Sequence, residues 1–368
     1  MELELKKEQF ACYQALPQLS ENREETTETI VPDYLPDIAR IVDASGCLFL
    51  RSREITDGKA QVSGTIRMTL LYVAEDTQGM KSFEYSLPLE EMIEGRALSS
   101  GTDCCLEGRL CSCEVRMLNP RKIFTRVNVE LALIPYVPAS LSVCSGVKEQ
   151  EAYKIETLCE KKEITVIRAV REKDFTFADE VMLSGTKEPI RELLRSKCVL
   201  RTTDCKEIGN KIVLKGIARL DAVYLDEGGN LASLSGELPF SQILDGLSEE
   251  EGETTVRASL RLTGAEIHVG GESEPDNYRT VSLRLTISAF AAVRETRSDQ
   301  ERARRVRNAQ RGVLPRIQLP PERLQAARPF KRKRQRINEH GRFPSNSKSR
   351  VSGHDAISAL APTQRKAS

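Results

Sequence analysis

Apolar and polar residues alternate along two stretches of the chain that match each other at a constant offset of 152 residues. Residues 60–72 carry small or apolar side chains at every second position, and residues 212–224 do the same. A period of two predicts a β-strand with one face buried and the other in solvent. Because the offset also brings Tyr72 onto Tyr224, the chain contains an internal repeat that organises most of its length.

A turn signal precedes each of these strands. Asp-Gly at residues 57–58 and Gly-Asn at residues 209–210 tolerate a positive φ and suit a two-residue hairpin. Each repeat also ends in a long alternating strand, at residues 123–133 and 281–287. These patterns predict a mainly β fold of two tandem antiparallel modules, each a small sandwich or a partly open barrel.

Short segments with helical spacing separate the strands of this pattern. Both copies have apolar residues at i, i+3 and i+4 after a proline, namely Ile38, Ile41 and Val42 in the first and Ile190, Leu193 and Leu194 in the second. A proline is favoured at the first turn of a helix, where its missing N–H costs nothing. Residues 87–95 and 238–246 each begin with Leu-Pro and end with Gly, which indicates a second short helical turn in each module.

The repeat and the composition together divide the chain. The predicted segments are a first module at residues 1–137 (an N-terminal strand in 1–24 and a core at 25–137), a linker at 138–159, a second module at 160–293, and a disordered, Arg-rich tail at 294–368. The tail is set apart because the β alternation is lost there and basic residues dominate, a composition that favours disorder.

The net charge of +1 conceals a strong division between body and tail. From Arg297 onward 19 lysines and arginines face 5 acidic residues, a net +14, whereas the preceding residues, with 36 against 49, carry −13. One hypothesis is a cationic arm for nucleic acid or another polyanion. The other is a shifted reading frame near Arg297, since out-of-frame translation of GC-rich DNA yields Arg-rich sequence without pattern.

Composition also bounds the setting of the protein. No apolar run of 18 residues is present, so we expect no membrane span. The charged N-terminus lacks the apolar segment of a signal peptide, which favours the cytosol. Ten cysteines in 368 residues are therefore expected to be free thiols.

Candidate chemistry is sparse. The cysteine cluster consists of Cys104, Cys105, Cys111 and Cys113. Its spacing differs from the usual C-x2-C pairs of zinc sites, and the shared parity of Cys111 and Cys113 predicts that both thiols face the core. His268 has no matching nucleophile motif, and no phosphate-binding glycine loop is found. We predict no enzymatic activity, no metal and no cofactor.

Four motifs in order give the chain a resemblance to a known family. They are a VPDYLPDI segment at Val31–Ile38, a DGK…LYV hairpin at Asp57–Val73, an LP…I segment at Leu87–Ile93, and an NPRKI strand at Asn119–Leu131. The pattern resembles the SPOCS-domain proteins of spore-forming Firmicutes over residues 25–137. A more divergent copy covers residues 160–293.

The resemblance implies a non-catalytic role in building the spore envelope or coat, on the mother-cell side of the forespore. Partners would be other coat and morphogenetic proteins, or further copies of the chain. Some family members end in a LysM module, which in a subset docks onto the ATPase that forms the basement layer of the coat. No LysM-like segment is seen after residue 293.

The segment VPDYLPDIARIV, residues 31–42, is the strongest candidate for a binding site. Its proline-led apolar part recurs in the second copy, and Asp37 suits the positive end of the predicted helix. Asp33 and Tyr34 do not recur. The segment is therefore interpreted mainly as architecture, and Asp33 and Tyr34 are the predicted partner-binding residues if it also has a binding role.

Overall fold

The computed structural model forms antiparallel strands over residues 5–76, 79–147, 160–246, 253–271 and 276–301, which are the residues the structure describes. These ranges belong to one compact unit, Met1–Leu319. A second unit, Pro320–Ser368, lies outside them. The predicted tail is therefore described only as far as residue 301, and residues 148–159 of the predicted linker also lie outside the described part.

Thirteen strands make up the described residues, and no helix occurs among them. The first module contains β1 (Leu5–Ala15), β2 (Leu19–Ile30), β3 (Ile38–Thr56), β4 (Lys59–Ala74), β5 (Met80–Glu94), β6 (Asp103–Asn119) and β7 (Lys122–Val147). The second contains β8 (Glu160–Met182), β9 (Ile190–Ile208), β10 (Lys211–Asp226), β11 (Leu231–Asp245), β12 (Glu253–Val269) and β13 (Thr280–Glu301). Strands β3 and β9 begin and end 152 residues apart, as the repeat predicts.

Each module is a sandwich of two sheets. Strands β3, β4 and β5 form a meander that packs on β6, β7 and β2, and β9, β10 and β11 pack in the same way on β12, β13 and β8. Strand β1 pairs with the second half of β7 and meets β8 where Tyr13 lies opposite Ile167. That contact joins the two larger sheets into one of seven strands.

The predicted alternation of the central strands is confirmed. In β4 the fully buried residues are Ala60, Val62, Ile66, Met68, Leu70 and Tyr72, and in β10 they are Ile212, Leu214, Ala218, Leu220 and Tyr224. The polar residues between them lie on the other face. Burying a large apolar side chain contributes about 1.5–3 kcal/mol, so these two rows supply much of the driving force for each sandwich.

Both predicted hairpins are also confirmed. Thr56 pairs with Lys59 and Ile208 with Lys211, so each loop has two residues. Gly58 has φ 81° and Gly209 has φ 59°, a region in which residues with a Cβ are strained.

The predicted helix at residues 38–42, and its counterpart at 190–194, are wrong. Both segments begin long strands, β3 and β9. Register shifts between Ile38 and Arg40 and again between Ile41 and Asp43 insert one extra residue each, so that inward-facing positions recur every third residue instead of every second. Two successive β-bulges thus produce an apolar spacing that imitates a helix, and β9 has bulges at the corresponding places.

The second pair of predicted helical turns is wrong as well, because these residues form β5 and β11. Leu87, Leu89 and Ile93 are buried at alternate positions, and Glu91 takes the inward position between them, which hides the period of two. Each strand carries an exposed proline, Pro88 in β5 and Pro239 in β11. A proline fits there because β5 and β11 are sheet edges with a neighbour on one side only.

The module ends differ from the predicted ones. Strand β7 continues past residue 137 to Val147, and β13 continues past 293 to Glu301. The predicted N-terminal strand is divided into β1 and β2 by a short break that contains Pro17. The extra length of β7 lies opposite β1, which explains why residues predicted as linker are paired.

Strand β3 of the first module packs against the second module, mainly on β12, and meets β9 near its start. Phe49 of β3 is buried in the core cluster of the second module. Leu71 and Met80 pack on Leu194 and Leu225 in a separate cluster. Asp43 forms an ion pair with Arg195, which is its own counterpart in the repeat. These contacts join the two modules into one compact unit.

A charged cluster closes the other end of this interface. Arg53 of the first module donates to Glu172 of the second at 2.9 Å through Nη1, and its Nη2 pairs with the same carboxylate. Arg261 and Ser288 donate to Glu172 at 3.3 and 3.0 Å. Burial opposes ionisation of Glu172, but these donors outweigh it and hold the pKa of the carboxyl below its usual value.

The shifted pKa of Glu172 predicts how stability depends on pH. Since the folded-state pKa is lower than the unfolded one, the ionised carboxylate stabilises the fold above the unfolded pKa of about 4.3. This contribution is lost as the pH falls through the folded pKa. Glu172→Gln should therefore flatten the acid side of the free energy of unfolding, measured by denaturant titration between about pH 3 and 6.

The exposed Glu94 provides the matched control, because its pair with Lys59 is open to solvent. Glu94→Gln should leave the free energy of unfolding within about 0.5 kcal/mol of the parent at every pH. An unchanged acid slope in Glu172→Gln would contradict the assignment.

Candidate protein-binding loops at the strand ends

Two equivalent loops connect the sheets at one end of each module. Residues 31–37 lead from β2 to β3, and residues 183–189 lead from β8 to β9. In the first module Arg121, in the tight turn between β6 and β7, donates to the carbonyl of Val31 at 2.9 Å and to that of Leu35 at 2.7 Å. The guanidinium therefore spans the loop and fixes its curvature.

Arg279 does the same in the second module. It donates to the carbonyls of Ser184 and Lys187 at 2.9 and 2.7 Å. The backbone N–H of each arginine is held by an asparagine two residues before it, Asn119 at 2.9 Å and Asn277 at 3.1 Å. An Asn-x-Arg turn thus supports the loop in both copies.

This arginine is the functional-site residue that the sequence analysis missed. The resemblance uses NPRK at residues 119–122 only as the start of a strand. It does not include the counterpart of this motif, NYRT at residues 277–280. The repeated Asn-x-Arg was the signal, but nothing in a single sequence connects it to carbonyls some 90 residues earlier.

The structure places both predicted binding residues in the first of these loops. Asp37 accepts a hydrogen bond from Arg121 at 3.0 Å rather than capping a helix, and Asp33 accepts one at 3.1 Å. The Asp33 side chain is fully exposed, so this pair contributes little to stability. Tyr34 is 84% exposed at the turn of the loop. The arrangement holds an aromatic side chain in solvent on a rigid backbone.

Further exposed apolar side chains occur at the strand ends beside this loop. Ile30 ends β2, and Met117 and Leu118 end β6, on either side of the start of β7. All are exposed, at 67%, 43% and 52% respectively. We call Ile30, Tyr34, Met117 and Leu118 the tip surface of the first module. The second module has a sparser counterpart, in which Met182 (71% exposed) and Tyr278 (52%) are the large apolar residues.

The two tips lie at the same end of the molecule. Lys81 at the start of β5 pairs with Glu192 near the start of β9 at 2.9 Å. Asp43 near the start of β3 pairs with Arg195. Because these contacts join the starting ends of β3 and β9, the loops that precede both strands emerge side by side.

The cysteine cluster is divided between different environments. Cys104 is buried between the sheets of the first module, whereas Cys105 lies with Tyr136 and Phe290 between the modules. The prediction that Cys111 and Cys113 both face the core is wrong for Cys111, which is exposed. A register shift between Leu110 and Ser112 places Cys111 in a bulge. After the bulge the side chain of Cys113, and not that of Cys111, points towards the core.

Burial keeps the remaining thiols protonated. It raises the pKa of Cys104 to about 11 and the pKa values of Cys105 and Cys113 to about 12. A protonated thiol is a poor nucleophile and a poor metal ligand. Within the described ranges no three His, Cys, Asp or Glu side chains lie close enough to hold a metal ion.

His268 lies in β12 opposite Ser282 of β13, and its side chain is exposed. It lines a groove between the modules together with Glu84 and Glu266. Across the residues that the structure describes, no helix has the length and apolarity needed to cross a membrane.

Comparison with known families agrees with this geometry. A family model described as "SipL, SPOCS domain" matches residues 37–118 and again residues 189–269. The two matches begin 152 residues apart and cover β3 to β6 and β9 to β12. No curated protein matches the chain. The resemblance found in the sequence is therefore confirmed, with one copy of the domain in each module.

The arginine clamp leads to a prediction about stability. Arg121→Ala removes hydrogen bonds to two carbonyls and two carboxylates, and bonds from a charged donor are each worth about 1.5–3 kcal/mol. We expect the free energy of unfolding to fall by about 2 kcal/mol, measured by denaturant titration. Arg121→Lys should recover less than half, since a single ammonium cannot span the loop.

The exposed Tyr34 supplies the control for that measurement. Tyr34→Ala should change the free energy of unfolding by no more than about 0.5 kcal/mol. Equal stability of Arg121→Ala and the parent would show that the loop does not depend on the clamp.

The two equivalent buried tyrosines lead to a second prediction. The Tyr72 hydroxyl donates to the carbonyl of Pro36 at 3.1 Å, whereas the buried Tyr224 hydroxyl has no hydrogen-bond partner in the described part of the chain. Tyr72→Phe should cost about 1 kcal/mol, while Tyr224→Phe should be neutral or stabilising, because an unpaired buried hydroxyl is unfavourable. Thermal unfolding of the two variants side by side tests this, and equal losses would contradict it.

Proposed function

Because the chain carries two SPOCS domains, we propose that it is a non-catalytic assembly protein that helps to build the spore envelope or coat by binding other proteins. The observation that carries this proposal is the tip surface around Tyr34. The domain family ties the chain to sporulation.

Exposure and rigidity both favour binding at the tip surface. Larger exposed apolar patches on folded domains mark interaction sites, and all four residues of the tip surface are exposed. Tyrosine is among the residues that dominate binding energy at interfaces, and it loses little conformational entropy on binding. Arg121 fixes the loop beforehand, so little further ordering is needed when a partner binds Tyr34.

The sheet edges of the meanders are less suited to this role. Pro88 in β5 and Pro239 in β11 interrupt the rows of N–H groups that strand addition would need along these edges. Assembly is therefore proposed to use the loops at the tips, with sheet-edge pairing confined to places without such protection.

We place this activity in the cytoplasm of the mother cell, at the forespore surface. The proposed partners are other coat and morphogenetic proteins, with self-association as a second mode. In relatives that carry LysM, docking on the basement-layer ATPase uses that module. Here the proposed contacts run through the SPOCS modules themselves. The alternative of polyanion binding depends on the basic tail, whose residues from 302 onward lie outside the described part.

The function is tested by complementation in a sporulating host that encodes the chain. Deletion of the gene should give spores that lack complete encasement, seen by fluorescence of a tagged coat protein. The parent gene should restore encasement. Tyr34→Ala combined with Ile30→Ser should fail to restore it, although the purified variant unfolds at the same temperature as the parent.

Tyr278→Ala, which removes an exposed tyrosine from the second tip, serves as the matched variant. It should restore encasement if the first tip carries the function. Normally encased spores after deletion of the gene would overturn the proposed role, and full rescue by the double variant would overturn the assignment to the tip surface.

A further inference from the structure

A groove of about 720 Å³ lies between the two modules and is walled by strand edges. Its lining consists largely of three consecutive runs, residues 82–84 of β5, 193–196 of β9 and 265–269 of β12. Each of these strands has a single pairing partner among the described strands. Runs of consecutive edge residues bring backbone groups, as well as side chains, to the wall of a groove.

The hydrogen bonds around β12 show which of its backbone groups face the groove. Arg67 of the first module donates from Nη1 to the carbonyl of Ala265 at 2.7 Å, so this carbonyl points away from β13. The N–H of Gly270 points the other way, to the carbonyl of Thr280 at 2.8 Å. Since backbone groups alternate sides along a strand, Ile267 and Val269 present their N–H and C=O groups outward with Ala265.

This part of β12 lacks the features that protect the other edges. Proline interrupts β5 and β11, and acidic residues crowd β2. Residues 265–269 contain no proline, and only one of their five side chains, that of Glu266, is acidic. The bulge of β12 lies before this run, between Leu262 and Gly264. Folded proteins normally block an exposed edge, so residues 265–269, which follow the bulge and contain no proline, are available for pairing.

The charge of the groove is acidic once the engaged groups are accounted for. Arg67 is committed to Ala265 and lies 5.0 Å above the ring of Phe49. Arg195 is paired with Asp43. Glu84 and Glu266 are the acidic groups of the lining, and Glu266 also lies opposite Arg284 of β13. A partner segment with a basic side chain would therefore be favoured.

We propose that this groove binds an extended, basic peptide segment of a partner protein by strand addition to β12. Because Arg67 takes the carbonyl of Ala265, pairing runs along residues 266–269, which span about 13 Å and match a segment of about four residues. Backbone hydrogen bonds supply the affinity, and Glu84 and Glu266 select lysine or arginine. The inference deepens the protein-binding function proposed above by naming the kind of partner segment.

The experiment uses the full chain and a synthetic probe. A six-residue peptide that alternates lysine with valine, acetylated, amidated and fluorescently labelled, is titrated and followed by anisotropy. A second peptide with every backbone nitrogen methylated keeps the charge but donates no backbone hydrogen bond. A third replaces lysine by glutamate. Only the first peptide is expected to bind, and the other two should bind at least tenfold more weakly.

A pair of charge-reversal variants locates the site. Glu266→Lys should weaken binding of the first peptide at least tenfold. Glu237→Lys makes the same change on the proline-containing edge of β11 and should leave binding unchanged. Equal binding of the methylated peptide, equal effects of the two variants, or no binding at millimolar peptide would each overturn the proposal.

The outcome separates this proposal from the function itself. If the peptide does not bind but the Tyr34 and Ile30 double variant still fails to restore encasement, the groove proposal is wrong and the assembly role stands. If the peptide binds while deletion of the gene leaves spores normally encased, the groove binds extended peptides but the proposed role in the spore is wrong.

Discussion

The packing of β3 against the second module is the interaction on which the rest of the molecule depends. Phe49 enters the core of the second module, and Asp43 meets Arg195, its counterpart in the repeat. Two sandwiches joined by a chain alone would move independently. Here apolar burial and the Glu172 cluster fix one orientation. That orientation brings both tips to one end and forms the groove between the modules.

The parts of the fold that the sequence predicts well are those set by local alternation and turn chemistry. Tyr72 and Tyr224 are buried at the ends of matching rows, and Gly58 and Gly209 have the positive φ that their hairpins require. These features depend on residues close in sequence. A period of two and a two-residue turn therefore suffice to predict them.

Two of the failures share one physical cause, which is the β-bulge. A bulge adds a residue to one strand without changing the partner strand. The inward-facing side chains therefore change from odd to even positions, or the reverse, and no residue type in the sequence marks where this happens. Ile38 and Ile41 acquire a helical spacing in this way, and Cys111 turns outward although Cys113 faces inward. At Glu91 the alternation is instead hidden by an acidic residue at an inward position, 3.6 Å from Arg23.

The candidate site combines what both copies share with what only one has. Arg121 and Arg279 each donate to two carbonyls of equivalent loops, so the support of the loop repeats with the fold. The residues presented on that support differ, because Asp33 and Tyr34 are replaced by Gly185 and Thr186 in the second copy. A side chain needed for packing would be expected in both copies, since both sandwiches have the same core to fill. Tyr34 is in solvent and in one copy only, so packing of the core does not account for it, and the proposed partner binding rests on this difference between the copies.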